Sequence, residues 1–393
     1  MISVRWMGLL HGCRNMRESG DRLATMKNVH LIIPDLFLPK QFAAEVSADM
    51  ALPALQKLLA RATRLTVPAA RHNVESALCA VFGVAVHNDV PIAPISAAFD
   101  GLGAGCWLRA DPVHLVLQRD QMLLSQAAVT DEEAKQFCAS LNGHFAGQGM
   151  TFFAPHALRW YVRLDQLPDM QTTPLSEVIG SNVRGALPQG ADARRWHQMF
   201  NEIQMLLFAH PLNEEREARG ETAINSVWLW GGGCDTLQAK PADCGNNRLA
   251  THAVQKGYSA PSWGDSCDLD DLETHYDTIR SDETMAEMFA AAAGLPYTRS
   301  AGRWREQEGR QLVLHTALRT AIQAGDLHAW RAALQTLETD YAQPLWDALR
   351  SGDLARLQID VLAGDNTQSL ELTRRDTWRF WRRARRLAAY SLV

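Results

Sequence analysis

The sequence predicts an α/β protein with a mixed, mostly parallel sheet and an inserted α+β domain. Three observations carry that reading. Strand-like and helix-like segments alternate at both ends of the chain, the pattern of a sheet covered by helices. The stretch from roughly 85 to 190 interrupts this alternation with glycine-rich turns and short strands. The 393 residues, 47% hydrophobic, suffice for a sizeable core and exceed one small domain.

Residues 1–25 carry Arg14, Arg17, Asp21 and Arg22 behind an apolar patch too short for a signal sequence. They are expected to be an unpacked tail or the product of an upstream start codon, with Met26 before the first convincing strand. Val29–Asp35 reads as a buried strand ending in an acid. Ala51–Leu59 and Val74–Val86 follow helical spacing. Gly101, Gly103 and Gly105 mark a turn, and Trp107–Leu117 is strand-like but broken at Pro112. Thr130 with Glu133 opens a helix towards Asn142. Met150–Phe153 and Trp160–Leu164 are strands, Gln166–Pro188 is loop-rich, and Arg194–Phe208 is an amphipathic helix.

Residues 234–270, rich in Gly, Asp and Cys, read as a long loop. Asp282–Ala293 is helical and stops at Gly294. Gln311–His315 is a strand, and Ala329–Leu349 is a long helix bent near Pro344. Strands at Leu357–Leu362 and Leu370–Thr373 precede a helix at Arg375–Leu387. The expected division is a tail at 1–25, core at 26–85, inserted domain at 86–190 and core again at 191–393.

A formal charge of −5, from 39 Lys and Arg against 44 Asp and Glu, argues against nucleic acid as a partner of the whole protein. The longest apolar run, Ala77–Val86, is half the roughly 20 residues a spanning helix needs, so no membrane partner is expected. Seven scattered cysteines without a CxxC read as reduced thiols of a cytoplasmic protein. Cys234, Cys244, His252, Cys267 and His275 match no usual zinc spacing. Asp265, Asp268, Asp270 and Asp271 lack the spacing of a calcium loop. His114 on an apolar strand reads as a hydrogen-bonded structural residue in preference to a base.

The most informative segment is HPLNEEREARGETAINSVWLWGGG, His210–Gly233. A strand over Ile224–Trp230 runs into Gly231, Gly232 and Gly233, a pattern whose backbone N–H groups can approach an anion closely. On the glycines alone, a tight turn without a ligand is the better reading. The whole motif resembles that of the archaeal-type, cofactor-independent phosphoglycerate mutases of the alkaline phosphatase superfamily. The matching residues are Asn213, Arg216, Gly220, Asn225, Trp228, Trp230, Gly231 and Gly233, and the resemblance extends in order over most of 28–367. WLRADPVHL, INSVWLWGGG and DTWRFWRR are most similar to a bacterial group of RpfE-type regulatory proteins.

The resemblance implies an alkaline-phosphatase-like three-layer core. It implies a phosphate-binding role for Asn213, Arg216, Asn225, Trp230 and Gly231–Gly233, and Asp35 and Asp365 as ligands of a divalent metal, manganese or zinc. Such metals neutralise phosphate charge and activate the nucleophile. The catalytic set is broken here. Leu36-Phe37-Leu38 replaces the second acid after Asp35, and Val74 and Leu78 stand at the nucleophile and His positions. Ser76 substitutes as nucleophile only after a two-residue register shift, about 200° of rotation. The closing Asp-His pair is Asp365-Asn366, and Asn replaces an imidazole ligand poorly. A helix cap for Asp35 and an Asx turn for Asp365 are therefore favoured over a working dinuclear centre.

The expected function is that of a non-catalytic, diverged member of this group, binding a small phosphorylated ligand in a regulatory role. One alternative is a metal-dependent phosphomutase or phosphatase using Asp35, Asp365 and Ser76. A second is a nucleic-acid-binding regulator acting through Arg374–Arg386, with seven Arg, two Trp and one Phe. The competing reading of that segment packs its Trp face on the core. Oligomeric state is not readable from the sequence.

Overall fold

The structure is a computed structural model that describes residues 27–66, 73–86, 89–119, 121–234, 276–299, 302–363 and 367–390. The tail expected at 1–25, the acidic cluster at 265–271 and the metal-ligand candidate Asp365 lie outside the described residues. The chain divides into two compact units, one of residues 1–74, 275–287 and 295–393, the other of 75–274 and 288–294. Twelve strands are described: β1 Asn28–Pro34, β2 Thr63–Leu65, β3 Cys106–Gln118, β4 Gln121–Ser125, β5 Met150–His156, β6 Arg159–Leu164, β7 Ser226–Cys234, β8 Thr278–Ser281, β9 Tyr297–Arg299, β10 Arg310–Leu314, β11 Arg356–Leu362 and β12 Gln368–Thr373.

The first unit holds a seven-stranded sheet in the order β2-β12-β11-β1-β10-β8-β9. β11, β1, β10, β8 and β9 run parallel, and β12 and β2 add antiparallel at one edge. The expected α/β class with a mixed, mostly parallel sheet is thus present. β1 reads NVHLIIP, a nearly continuous apolar run, because a central parallel strand is covered on both faces. Leu55, Leu58 and Leu59 of the helix Pro53–Arg61 pack into the same core as Leu345, Trp346 and Leu349. The start of that helix needs acceptors for its free N–H groups. The buried Glu338 carboxylate supplies them, accepting from Ala54 at 2.8 Å and Leu55 at 2.9 Å.

The long C-terminal helical stretch is interrupted differently from expectation. Leu327–Thr336 and Gln343–Ser351 are α-helical, and the six residues between them, Leu337–Ala342, form a π-helix. Pro344 has no N–H for the i→i−4 ladder, so the irregular turn falls just ahead of it. Gly352, at φ 94°, then ends the helix in the left-handed region.

The second unit is an antiparallel sheet in the order β4-β3-β6-β5, with β7 also paired to β3. β3 runs through Pro112 unbroken, because Asp111 and Val113 on either side stay paired with Trp228 and Ser226 of β7. The helices Asp131–His144 and Ala193–Phe208 pack Phe137, Leu141, Ile203 and Leu207 onto this sheet. Thr130 caps the first of these helices through a reciprocal bond with Glu133, as its sequence suggests. The unit is wider than the expected 86–190. Among the described residues it also takes in 75–86 and 191–234, the latter because Ser226–Cys234 adds a strand to this sheet and not to the parallel one.

That pairing also joins Cys106 to Cys234 in a disulfide across 128 residues of sequence. The two are register partners on β3 and β7, a proximity that sequence spacing does not reveal. A cystine is uncommon in a reducing cytoplasm, so this bond departs from the reduced, cytoplasmic thiols expected from the sequence. Cys79 and Cys138 are buried. Among the described residues no helix is long and apolar enough to cross a membrane.

The expected helix at Arg375–Leu387 is not formed. Arg374–Trp378 is a short 3₁₀ turn and Leu387–Ala389 another, with non-helical chain between. Thr373 and Asp376 close a capping box at the first turn. Arg61 donates to the Thr377 carbonyl, and Arg379 and Arg382 donate to the Arg61 and Ala62 carbonyls. These links hold the segment along β2 in a shape other than a helix.

Candidate functional site

Sequence reasoning singles out two places: the glycine segment of the second unit and the strand ends of the first. Gly231, Gly232 and Gly233 are part of β7 and do not form an anion-binding loop. Their N–H groups are engaged inside the protein. Gly231 N donates to Thr172 Oγ1 at 3.0 Å, and Gly232 N donates to Asp89 Oδ2 at 3.1 Å. The Thr172 hydroxyl in turn donates to the same Asp89 carboxylate at 2.5 Å. Burial pushes the Asp89 carboxyl up, and these hydrogen bonds pull against that. An internal carboxylate therefore stands where a bound phosphate was expected.

The glycines answer a packing demand. A Cβ on Gly233 would lie 2.7 Å from Pro94 Cγ and 2.9 Å from Pro91 Cβ, and one on Gly232 would lie 2.8 Å from Leu108 Cδ2. Gly231 also has φ +71°, a conformation that favours glycine. Tight approach of Pro91 and the helix Ile92–Phe99 to the strand accounts for Gly231 and Gly233, and Leu108 of β3 accounts for Gly232.

The other motif residues are equally engaged. Asn213, buried, donates through Nδ2 to the carbonyls of Leu207 at 2.7 Å and Ile224 at 2.9 Å and accepts from Ile224 N at 2.9 Å. Arg216, 1% exposed, pairs with Glu133 at 2.8 Å and donates to the Thr222 and Ala128 carbonyls. Asn225 ties β7 to β3, accepting from Leu115 N and donating to Leu115 O. Trp230 Nε1 donates to the buried Asp111, whose other oxygen takes two bonds from Arg109. His114 is hydrogen-bonded to the Ala223 carbonyl, the structural role expected of it.

Ser76 lies buried on the helix Val74–Val81, beside Glu75, which accepts from Ser176 at 2.5 Å. Ser76 and the glycines belong to the second unit and Asp35 to the first.

In the first unit, three parallel strands end side by side. Ligands of open α/β sheets bind at such carboxyl ends. Asp35 follows β1, His315 follows β10 and Asp282 follows β8, and β10 lies between the other two. Asp35 has φ 54°. Its carboxylate lies 3.8 Å from Arg319, and its carbonyl accepts from Trp330 Nε1. Burial pushes the Asp35 carboxyl up, and the Arg319 charge pulls against that. His315 is buried against Tyr341, and its Nε2 has no hydrogen-bond partner among the described residues. Burial pushes this imidazole down, towards the neutral form, against the charges of Asp282 and Asp340. Thr316 Oγ1 donates to Asp282 at 3.1 Å.

His315, Thr316, Arg319 and Asp282 are the residues that sequence reasoning missed as a site. For His315 and Thr316 the signal was available, since they end and follow the predicted strand Gln311–His315, whereas Asp282 follows β8, which was not predicted. The described residues of the set do not by themselves make up the two-metal centre implied by the resemblance, whose other acid, Asp365, lies outside them. A guanidinium already faces the Asp35 carboxylate, and among the described residues no three His, Cys, Asp or Glu side chains are grouped to hold a cation. The arrangement places a guanidinium, a hydroxyl that donates to Asp282 and an imidazole that burial favours as neutral at the carboxyl ends of interior strands.

No family model matches the chain. Part of it is 25% identical over 149 residues to the 2,3-bisphosphoglycerate-independent phosphoglycerate mutase of Methanosarcina mazei, covering 36% of each chain. The probable enzyme of that name from Geobacter sulfurreducens is 25% identical over 150 residues, 36% of this chain and 37% of its own. The enzyme of Methanothrix thermoacetophila is 29% identical over 109 residues, 28% of this chain and 27% of its own. The chain is a distant homologue of these mutases. The matched stretch spans about a third of the mutases' length. Among solved structures, a Pyrococcus horikoshii protein aligns with a TM-score of 0.48 at 10% identity, over 89% of this chain and 87% of its own. The cofactor-independent phosphoglycerate mutase of Thermoplasma acidophilum gives 0.40 at 11% identity, over 88% and 89%.

Proposed function

We propose that this chain is a non-catalytic phosphoglycerate mutase-like protein of the RpfE-type regulatory group that binds a small phosphorylated ligand without turning it over. One observation carries the reading: the polar side chains of the motif most like the mutases are engaged by the protein's own backbone and acids. What the motif preserves is architecture. The valine and leucine at positions 74 and 78 support the same reading, because neither can act as nucleophile or ligand. The ligand site in this proposal is the strand-end cluster. Arg319 supplies charge and Thr316 a hydroxyl, and the neutral His315 supplies a hydrogen-bonding nitrogen.

The test is calorimetric titration with inorganic phosphate and with 3-phosphoglycerate, run beside metal analysis and a mutase and phosphatase assay in manganese. Binding without turnover, weakened by Arg319→Ala, is the expected result. Stoichiometric metal with turnover that Asp35→Ala abolishes would overturn it.

A further inference from the structure

The segment Trp378–Arg386 stands apart from the rest of the first unit. Trp378, Phe380 and Trp381 are 71%, 77% and 66% exposed, although aromatic side chains of this size are ordinarily buried. Every residue from Phe380 to Arg386 is exposed. It is nevertheless fixed in place. The capping box at Thr373 and Asp376 anchors one end, and Leu387, buried in the main core, anchors the other. Arg379 and Arg382 are held by the carbonyls of Arg61 and Ala62, and Arg379 also pairs with Asp376.

The remaining cations point elsewhere. Arg383, Arg385 and Arg386 form no ion pair among the described residues. No Asp or Glu occurs from Thr377 to the C-terminus, while five Arg do, in a chain whose overall charge is −5. Phe380 and Trp381 pack edge to face at 5.4 Å, so their rings form one apolar knob.

We propose that this segment is a docking site for an anionic membrane surface. Bulky aromatics seat at the boundary of headgroup and acyl chain, and arginines beside them meet lipid phosphates. A single-stranded nucleic acid fits less well. Such strands are held in basic grooves by stacking of each base on its own aromatic face, and here two of the three rings are spent on one another. Another exposed aromatic, Phe42, lies on the helix Lys40–Val46, which packs against the Leu387–Ala389 turn.

The test is co-sedimentation of the full chain with phosphatidylglycerol vesicles, phosphatidylcholine vesicles and, separately, binding to a 20-mer of deoxythymidylate. The chain is expected to bind the anionic vesicles and to leave the neutral ones and the oligonucleotide free. Changing Trp378, Phe380 and Trp381 together to Ala should abolish vesicle binding. Changing Arg383, Arg385 and Arg386 together to Gln should weaken it about a hundredfold, from three surface cations. Both triple variants alter exposed side chains, and an unchanged circular dichroism spectrum and urea midpoint verify that they fold. Absence of vesicle binding, vesicle binding that survives the aromatic changes, or capture of the oligonucleotide in its place overturns the proposal.

Discussion

Asn213→Ala is the sharpest perturbation of the idea that the mutase-like motif is architectural. The Asn213 side chain bridges the end of the helix Ala193–Phe208 to the entry of β7 through three hydrogen bonds. Its removal leaves the buried Ile224 N–H without its acceptor, at about 1–3 kcal/mol. The Ile224 carbonyl also loses a donor, whereas the Leu207 carbonyl keeps its bond from His210 N. With the small cavity left behind, the loss is about 3 kcal/mol. Hydrogen exchange followed by mass spectrometry over 211–234 is the direct assay. The β7 amides should exchange about a hundredfold faster, and the urea midpoint of the second unit should fall by about 1–2 M. Unchanged exchange and midpoint, together with loss of inorganic phosphate binding, would refute the reasoning and return Asn213 to a ligand site.

Three further outcomes are expected. Gly233→Ala drives a Cβ into the rings of Pro94 and Pro91 and should cost about 1–3 kcal/mol in urea unfolding. Reducing the Cys106–Cys234 bond frees a loop of 128 residues, worth up to about 4–5 kcal/mol in the chain-entropy account. A lower urea midpoint in dithiothreitol, with two newly alkylated thiols, would show it. The third concerns acid. Burial alone would raise the Asp360 carboxyl, but the His30 hydrogen bond and charge, with Ser369 and Gln358, more than offset this and hold it at about 2. A carboxyl held below its unfolded value contributes stability above that value and loses it as pH falls. About 2 kcal/mol should therefore disappear between about pH 4 and pH 2. Asp360→Asn should flatten that part of the stability profile, read by urea midpoints across the range.

Much of the fold was legible wherever a local pattern had a local cause. The apolar run of β1, the Thr130–Glu133 box and the glycine after the Asp282–Ala293 stretch each state their own geometry. What stayed hidden depends on pairing between distant segments. Nothing near Ser226 says that β7 pairs with β3, yet that pairing sets the second unit's width, the disulfide and the fate of the glycines. The strand-end cluster was half visible. Asp35 was found because it ends a strand, and the same rule would have added His315, whereas Asp282 follows β8, a four-residue strand whose sequence, TIRS, carries too short a pattern to read. The C-terminal helix failed because Arg379 and Arg382 find backbone carbonyls of the Arg61–Ala62 turn, and that tertiary attraction outweighs helical propensity.

The Asp89 carboxylate beneath Gly231 and Gly232 bears on how such chains are recruited into groups by their letters. A backbone that must clear two prolines and accept an internal acid writes the same glycines as a backbone that cradles a substrate. In this chain Trp-x-Trp-Gly-x-Gly therefore records a clearance problem, and its letters alone carry no information about a bound phosphate.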